Sequence, residues 1–119
     1  MQIDIHAQGF SLTGALRDHT ELRLRFALAR VSDRVGRITV RLFDINGPRG
    51  GNDKRCRIQV MLNGLAAVVI EDTEPNLYLA IDRATDRTGR NVMRRLARHG
   101  AWRVDGSPDQ LTSMKGSQT

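Results

Sequence analysis

Residues 54–70 read Lys54-Arg55-Cys56-Arg57-Ile58-Gln59-Val60-Met61-Leu62-Asn63-Gly64-Leu65-Ala66-Ala67-Val68-Val69-Ile70, and the order of apolar and polar side chains in this stretch decides the fold class. Cys56, Ile58, Val60 and Leu62 fall on one side of an extended chain and Arg55, Arg57, Gln59 and Met61 on the other, the period-two pattern of a strand with one buried face. Asn63-Gly64 suits the two left-handed positions of a type I′ turn, so a hairpin is expected, with its second strand at Leu65 to Ile70. That second run is apolar on both faces, which fits a central or well-covered strand.

The same period governs the chain upstream. Ile38, Val40 and Leu42 alternate with Arg37, Thr39, Arg41 and Phe43, while Ile3, Ile5 and Ala7 alternate with Gln2, Asp4 and His6. Asn46-Gly47-Pro48-Arg49-Gly50-Gly51-Asn52-Asp53 is dense in turn formers and reads as a mobile loop. Two segments have helical spacing. From Gly14 to Arg30, with Ser11 and Thr13 as possible caps, Leu16, Thr20, Leu24, Ala27 and Val31 mark one inward face. After a connector at Glu71 to Pro75, Asn76 can cap a second helix from Leu77 to about His99, with Gly100 as its C′ residue. Gly89 interrupts this helix at a cost of about 1 kcal/mol relative to Ala. The expected fold is α+β, a β-α-β-β-β-α two-layer sandwich in which both helices cover one face of a four-stranded sheet. Residues 1–100 form the domain, and 101–119, rich in Gly, Ser, Gln and Thr, read as a flexible C-terminal tail.

The formal charge is +6, and lysine occurs only at Lys54 and Lys115, so arginine supplies nearly all of the basic side chains. Such a balance favours a nucleic acid, an anionic membrane or an acidic protein as partner, and arginine's planar fork suits phosphate and base edges. Cys56 is the single cysteine and cannot form an internal disulfide, which fits a reducing compartment; its inward strand position marks a buried, inert thiol. The chain opens Met1-Gln2-Ile3-Asp4 without a basic region leading into an apolar run, and its longest apolar run, Leu65 to Ile70, is too short to cross a bilayer. A soluble cytoplasmic protein is expected.

Chemistry has no evident seat. His6, His19 and His99 lack metal-ligating neighbours at the usual spacing, Asp33, Asp44 and Asp53 form no acid/base pair, and Gly47-Pro48-Arg49-Gly50-Gly51 lacks the Lys-Ser/Thr pair of a phosphate loop. No catalytic residue, metal, cofactor or small-molecule substrate is expected, and the chain reads as a binding protein rather than an enzyme.

The second helix carries the strongest signal. Arg83, Arg87, Arg90, Arg94 and Arg98 recur at helical spacing as one stripe opposite Ile81, Ala84, Thr85, Thr88, Val92 and Leu96. From Ile81 to His99 there are six arginines, counting Arg95, against Asp82 and Asp86 alone. An ordinary solvated face mixes signs to form i,i+4 pairs, so a row of like charges points instead to a polyanion that compensates it. The sheet face opposite the helices adds Arg37, Arg41, Arg55 and Arg57, either a second basic patch or protection of the sheet against aggregation. The first helix contributes Arg17, Arg23, Arg25 and Arg30, of which Arg23 and Arg30 share an azimuth. Phe10, Phe26, Phe43, Tyr78 and Trp102 are scattered, so no stacking platform for bases is expected and binding should rest on phosphates and shape, with a steep salt dependence.

Several segments together resemble the short ribosome hibernation-promoting factors, also described as ribosome-associated inhibitors or sigma-54 modulation proteins. They are Met1-Gln2-Ile3-Asp4-Ile5, then Thr13-Gly14-Ala15-Leu16-Arg17-Asp18, and above all Glu71-Asp72-Thr73-Glu74-Pro75-Asn76-Leu77-Tyr78-Leu79-Ala80-Ile81-Asp82, followed by Asp86-Arg87 and Arg90-Asn91-Val92. The chain departs from the family pattern at Asn76, at Thr88 and Gly89, at Leu22 and Ala29, and in the glycine-rich stretch around Pro48. The resemblance implies a fold related to double-stranded RNA-binding domains. It also implies docking on the rRNA of the small ribosomal subunit, in the channel of mRNA and tRNA anticodons, with inhibition of translation and protection of idle ribosomes. The basic positions that match are Arg23, Arg87, Arg90 and Arg94. With no second domain after residue 100, the long-form route to ribosome dimers is not expected, and the protein should be monomeric off the ribosome. A different class of function would be a diverged regulatory module of the same fold that binds an acidic protein without touching ribosomes.

Overall fold

Four strands and two helices follow one another in the computed structural model of the chain, which describes residues 1–45 and 53–100. They are β1 (Gln2–Gln8), α1 (Gly14–Ala27), β2 (Val35–Asp44), β3 (Lys54–Leu62), β4 (Val68–Glu74) and α2 (Leu77–Arg98), with a short 3-10 segment, Ala29–Arg34, leading into β2. The strands lie side by side in chain order. β1 runs parallel to β2 because α1 carries the chain back across the sheet; the other pairs are antiparallel. This is the expected four-stranded α+β architecture, with a mixed sheet.

Register turns the period-two patterns into rows. Ile5, Val40, Ile58 and Ile70 are successive cross-strand neighbours, and so are Ile3, Ile38, Val60 and Val68. The first row is buried throughout, and it meets Leu24 of α1 and Ile81, Ala84, Val92 and Leu96 of α2 in one core. Full burial of a Leu or Ile side chain contributes about 2 kcal/mol, and Leu24, Leu28, Ile38, Leu42, Ile58, Ile81 and Leu96 are all essentially inaccessible. α2 lies over β3 and β4, and α1 packs beside it.

Local chemistry sets the helix ends. The Thr13 hydroxyl accepts from the Leu16 amide at 3.2 Å, and the Asn76 side chain accepts from the Leu79 amide at 2.8 Å. α2 stops where Gly100 takes a positive φ of 65°, a conformation that L side chains rarely adopt. Thr20, Thr85 and Thr88 are buried within the helices without polar loss, because each hydroxyl donates to the carbonyl four residues earlier at 2.7–2.8 Å.

Four expectations need correction. The first helix ends at Ala27 rather than Arg30; the chain then tightens into the 3-10 segment, which lets both Leu28 and Val31 reach the core. The turn at Leu62–Leu65 exists, with the Leu65 amide donating to the Leu62 carbonyl at 3.3 Å, but strand pairing resumes only at Val68, so the hairpin loop is longer than two residues. β4 is an edge strand, with Val69 exposed, and it continues through the segment expected as a connector. Asp72 pairs with Cys56 and Glu74 with Lys54, so the two carboxylates continue the inward side of β4 beneath α2, where Arg87 and Arg83 approach them. Finally, Asp53 is buried rather than part of an open loop. The Lys54 ammonium lies 2.8 Å from Asp53 Oδ1 and 3.0 Å from Asp44 Oδ1, and these two carboxylates hold its pKa above the ordinary lysine value. The loop proper, 46–52, and the tail, 101–119, lie outside the described residues.

Candidate nucleic-acid interface

α2 displays its arginines as the spacing requires, because Ala80, Ile81, Ala84, Thr85, Thr88, Val92 and Leu96 hold the opposite face in the core. Arg83, Arg87, Arg90, Arg94 and Arg98 are all exposed. Their electrostatic situations nevertheless differ. Arg83 Nε is 3.5 Å from Glu74 Oε2, and Arg87 donates to the Glu71 carbonyl at 3.0 Å with Asp72 Oδ1 4.0 Å away. Arg90, Arg94 and Arg98 have no hydrogen bond or ion pair among the described residues. The stripe is therefore compensated at its N-terminal end by carboxylates of β4 and left open along its C-terminal half. Arg95, off the stripe, donates to the Ala66 carbonyl at 2.9 Å and fastens the loop before β4.

Arg23 of α1 is not a free cation either. Its guanidinium lies 3.0 Å from Asp86 Oδ1 and 3.4 Å from Asp82 Oδ1, and Asp82 Oδ1 also sits 2.6 Å from His19 Nε2. The His19 ring meets Tyr78 edge-on at 4.9 Å between centroids. Asp82 and Asp86, the only acidic residues of α2, are thus engaged in the helix–helix contact, although Asp86, one turn before Arg90, still borders the stripe beside it. Sequence separation of about sixty residues hid this network.

The outer sheet face divides in the same way. Arg37 donates to Asp4 at 2.8 Å, and the Arg55 guanidinium lies 5.8 Å from the centre of the Phe43 ring. Arg41 and Arg57 are direct cross-strand neighbours, both exposed and without an ion-pair partner among the described residues, flanked by Thr39 and Gln59. Like charges in that position repel unless an anion lies between them. Of the four basic residues expected as a patch, Arg41 and Arg57 stand together without an ion pair among the described residues, with Glu71 of β4 the register neighbour of Arg57 on its other side.

Between α1 and α2 runs a groove of about 520 Å³ lined by Arg23, Arg30, Arg90 and Arg94, by Phe26, Ala27, Gly89 and Met93, and by the Asp86 carboxylate that Arg23 holds. It brings Arg30, which the sequence places only on the azimuth of Arg23, to the same surface as the open half of the stripe. Phe26, one of several aromatics scattered along the sequence, is its aromatic element, beside Ala27 and Met93. Cys56 takes no part in any surface: burial, helped by the nearby Asp72 carboxylate, pushes its thiol up to about 12. No cluster of metal-ligating side chains occurs among the described residues, and no helix there is long and apolar enough to cross a membrane.

The architecture has counterparts among known proteins. The model of the family described as sigma 54 modulation protein / S30EA ribosomal protein matches residues 3–99. The chain belongs to that family. It is 28% identical over 115 residues to a ribosome hibernation promotion factor of Deinococcus radiodurans; the match covers 93% of this chain but 58% of that relative, so the chain spans little more than half its length. Among solved structures it is similar to the N-terminal domain of Thermus thermophilus Protein Y, with a TM-score of 0.66 and 30% identity over 80% of this chain and 99% of that one. A ribosomal subunit interface protein from Coxiella burnetii gives a TM-score of 0.67 with coverage of 82% and 99%; at 22% identity it speaks for the fold alone. The sigma 54 modulation / S30EA family is one of ribosome-associated factors, not an enzyme family.

Proposed function

We propose that this protein is a cytoplasmic hibernation factor that docks, through residues 1–100, on the rRNA of the small ribosomal subunit, in the channel of mRNA and tRNA, and blocks translation there. One observation carries the reading. Arg90, Arg94 and Arg98 stand on one helix face without a counterion among the described residues, while Asp82 and Asp86, the acidic residues of the same helix, are engaged by α1. Three like charges along two turns raise the free energy of the isolated protein, and a polyanion removes that cost. Membership of an S30EA ribosomal protein family, and a relative named as a hibernation promotion factor, support rRNA as the polyanion. Arg41 and Arg57 supply a second contact on the outer sheet face; Arg83, Arg87 and Arg23 shape the surface while balanced within the chain, and Arg37 and Arg55 contribute least. The protein acts as a monomer and needs no cofactor.

Co-sedimentation with purified small subunits tests the proposal. The full chain should travel with them at low salt and be released at high salt, and Arg90→Glu with Arg94→Glu should abolish the association without moving the thermal melt. Absence of the wild-type chain from the small-subunit fraction at low salt rejects it. Nuclease-resistant capture of an acidic protein by a chain that ignores ribosomes would point to the protein-binding module instead.

A further inference from the structure

Phe26 has no structural reason to be where it is. The residue is 81% exposed, more than any other large apolar residue among the described residues, and α1 is already anchored by Leu16, Thr20 and Leu24. It is also not isolated. One turn before it stands Arg23 and one turn after it Arg30, and across the groove α2 presents Arg90, Arg94 and Met93, with Asp86 held by Arg23 at 3.0 Å. Arg30, Arg90 and Arg94 have no hydrogen-bond or ion-pair partner among the described residues.

An exposed phenyl ring surrounded by guanidinium groups matches a nucleotide in both of its halves. The flat face of any base stacks on the phenyl, and the phosphates on either side of that base meet the arginines. At about 520 Å³ the groove has the size of a small-molecule site, enough for one base with its sugar. Other occupants fit less well. A second copy of the chain would bring two arginine-rich faces together, and an apolar protein surface would strip water from four guanidinium groups to gain one ring with Met93 and Ala27 beside it. We infer that Phe26 is a stacking site for a single unpaired base of RNA, gripped between α1 and α2 with its flanking phosphates on Arg30, Arg90 and Arg94. This inference rests on the proposed rRNA partner, deepens it, and replaces the expectation that no base is stacked.

The test compares Phe26→Leu and Phe26→Trp with wild type, in the full chain, by affinity for small subunits. Leu keeps apolar bulk without a π face, so it should weaken binding about tenfold, whereas Trp should bind as tightly as Phe or more so. Because the side chain projects into solvent, neither variant should alter the melting temperature. With short single-stranded RNA the same ranking is expected, and with an abasic oligonucleotide of equal charge the three proteins should be indistinguishable. Unchanged affinity of Phe26→Leu for small subunits overturns the stacking site and leaves docking through arginines intact, as does a ranking shared by base-bearing and abasic strands. A wild-type chain that binds neither small subunits nor RNA removes both readings together.

Discussion

Gly89 of α2 passes so close to Ala27 of α1 that a β-carbon built on it would lie 3.1 Å from the Ala27 carbonyl oxygen and 3.3 Å from the Ala27 β-carbon. The glycine that looks like a flaw in the helix pattern is therefore a point of close approach between the two helices, and it lies in the groove flanked by Phe26, Arg30, Arg90 and Arg94.

Two substitutions separate propensity from packing here. Gly89→Ala gains about 1 kcal/mol of helix propensity and gives back a similar amount in the tight approach to Ala27, so its stability should stay within about 1 kcal/mol of wild type. Gly89→Leu is an equally good helix former but must push the helices apart, and urea denaturation should show a loss of about 2–3 kcal/mol. A Leu variant as stable as wild type would mean that α1 is free to move away from α2.

The carboxylate shared by His19 and Arg23 can be removed without changing its shape. Asp82→Asn leaves Arg23 only the Asp86 carboxylate and exchanges a charged acceptor for a neutral one at His19. The groups are partly exposed, so screening limits the loss to about 1 kcal/mol. Thermal melts in low salt should show it, and the difference from wild type should shrink as salt is added.

Salt dependence counts the phosphates that the protein neutralises. Each arginine that binds a phosphate should steepen the fall of log affinity with log salt by about 0.7–0.9. Arg90→Gln with Arg94→Gln should therefore reduce the slope for small subunits by about 1.5, while Arg37→Gln, whose guanidinium is held by Asp4, should change it little. Equal effects of the two variants would contradict the division of the arginines into open and engaged groups.

Cys56 makes an alkaline prediction. Its thiol titrates near 9.0 in a free chain and is raised to about 12 in the fold by burial, with Asp72 adding to the effect. The native state therefore keeps a proton that the unfolded state loses. The stability this contributes is fully present below about pH 9.0 and declines as pH rises towards about 12. Cys56→Ala should cost about 1 kcal/mol at pH 7 through poorer packing, yet its stability should fall less than that of wild type between about pH 9 and 10. Thiol-labelling reagents should react with wild type only as fast as it unfolds.

Features that depend on neighbours a few residues apart were legible in the amino-acid order alone. The alternation of Ile38, Val40 and Leu42 and of Cys56, Ile58 and Val60 specified strands and their buried side, and the spacing of Ile81, Ala84, Thr88, Val92 and Leu96 specified the arginine stripe opposite. Which of those arginines are available was settled by packing between distant segments. Glu74 and Asp72 balance Arg83 and Arg87 only because β4 extends under α2, and Asp82 and Asp86 are engaged from across the helix pair only because α1 brings Arg23 and His19 to them. The same packing set a lone Phe26 into a groove flanked by Arg30, Arg90 and Arg94. Periodicity is a property of a local backbone geometry, whereas the counterion of a charge is whatever the whole fold places within a few ångströms of it.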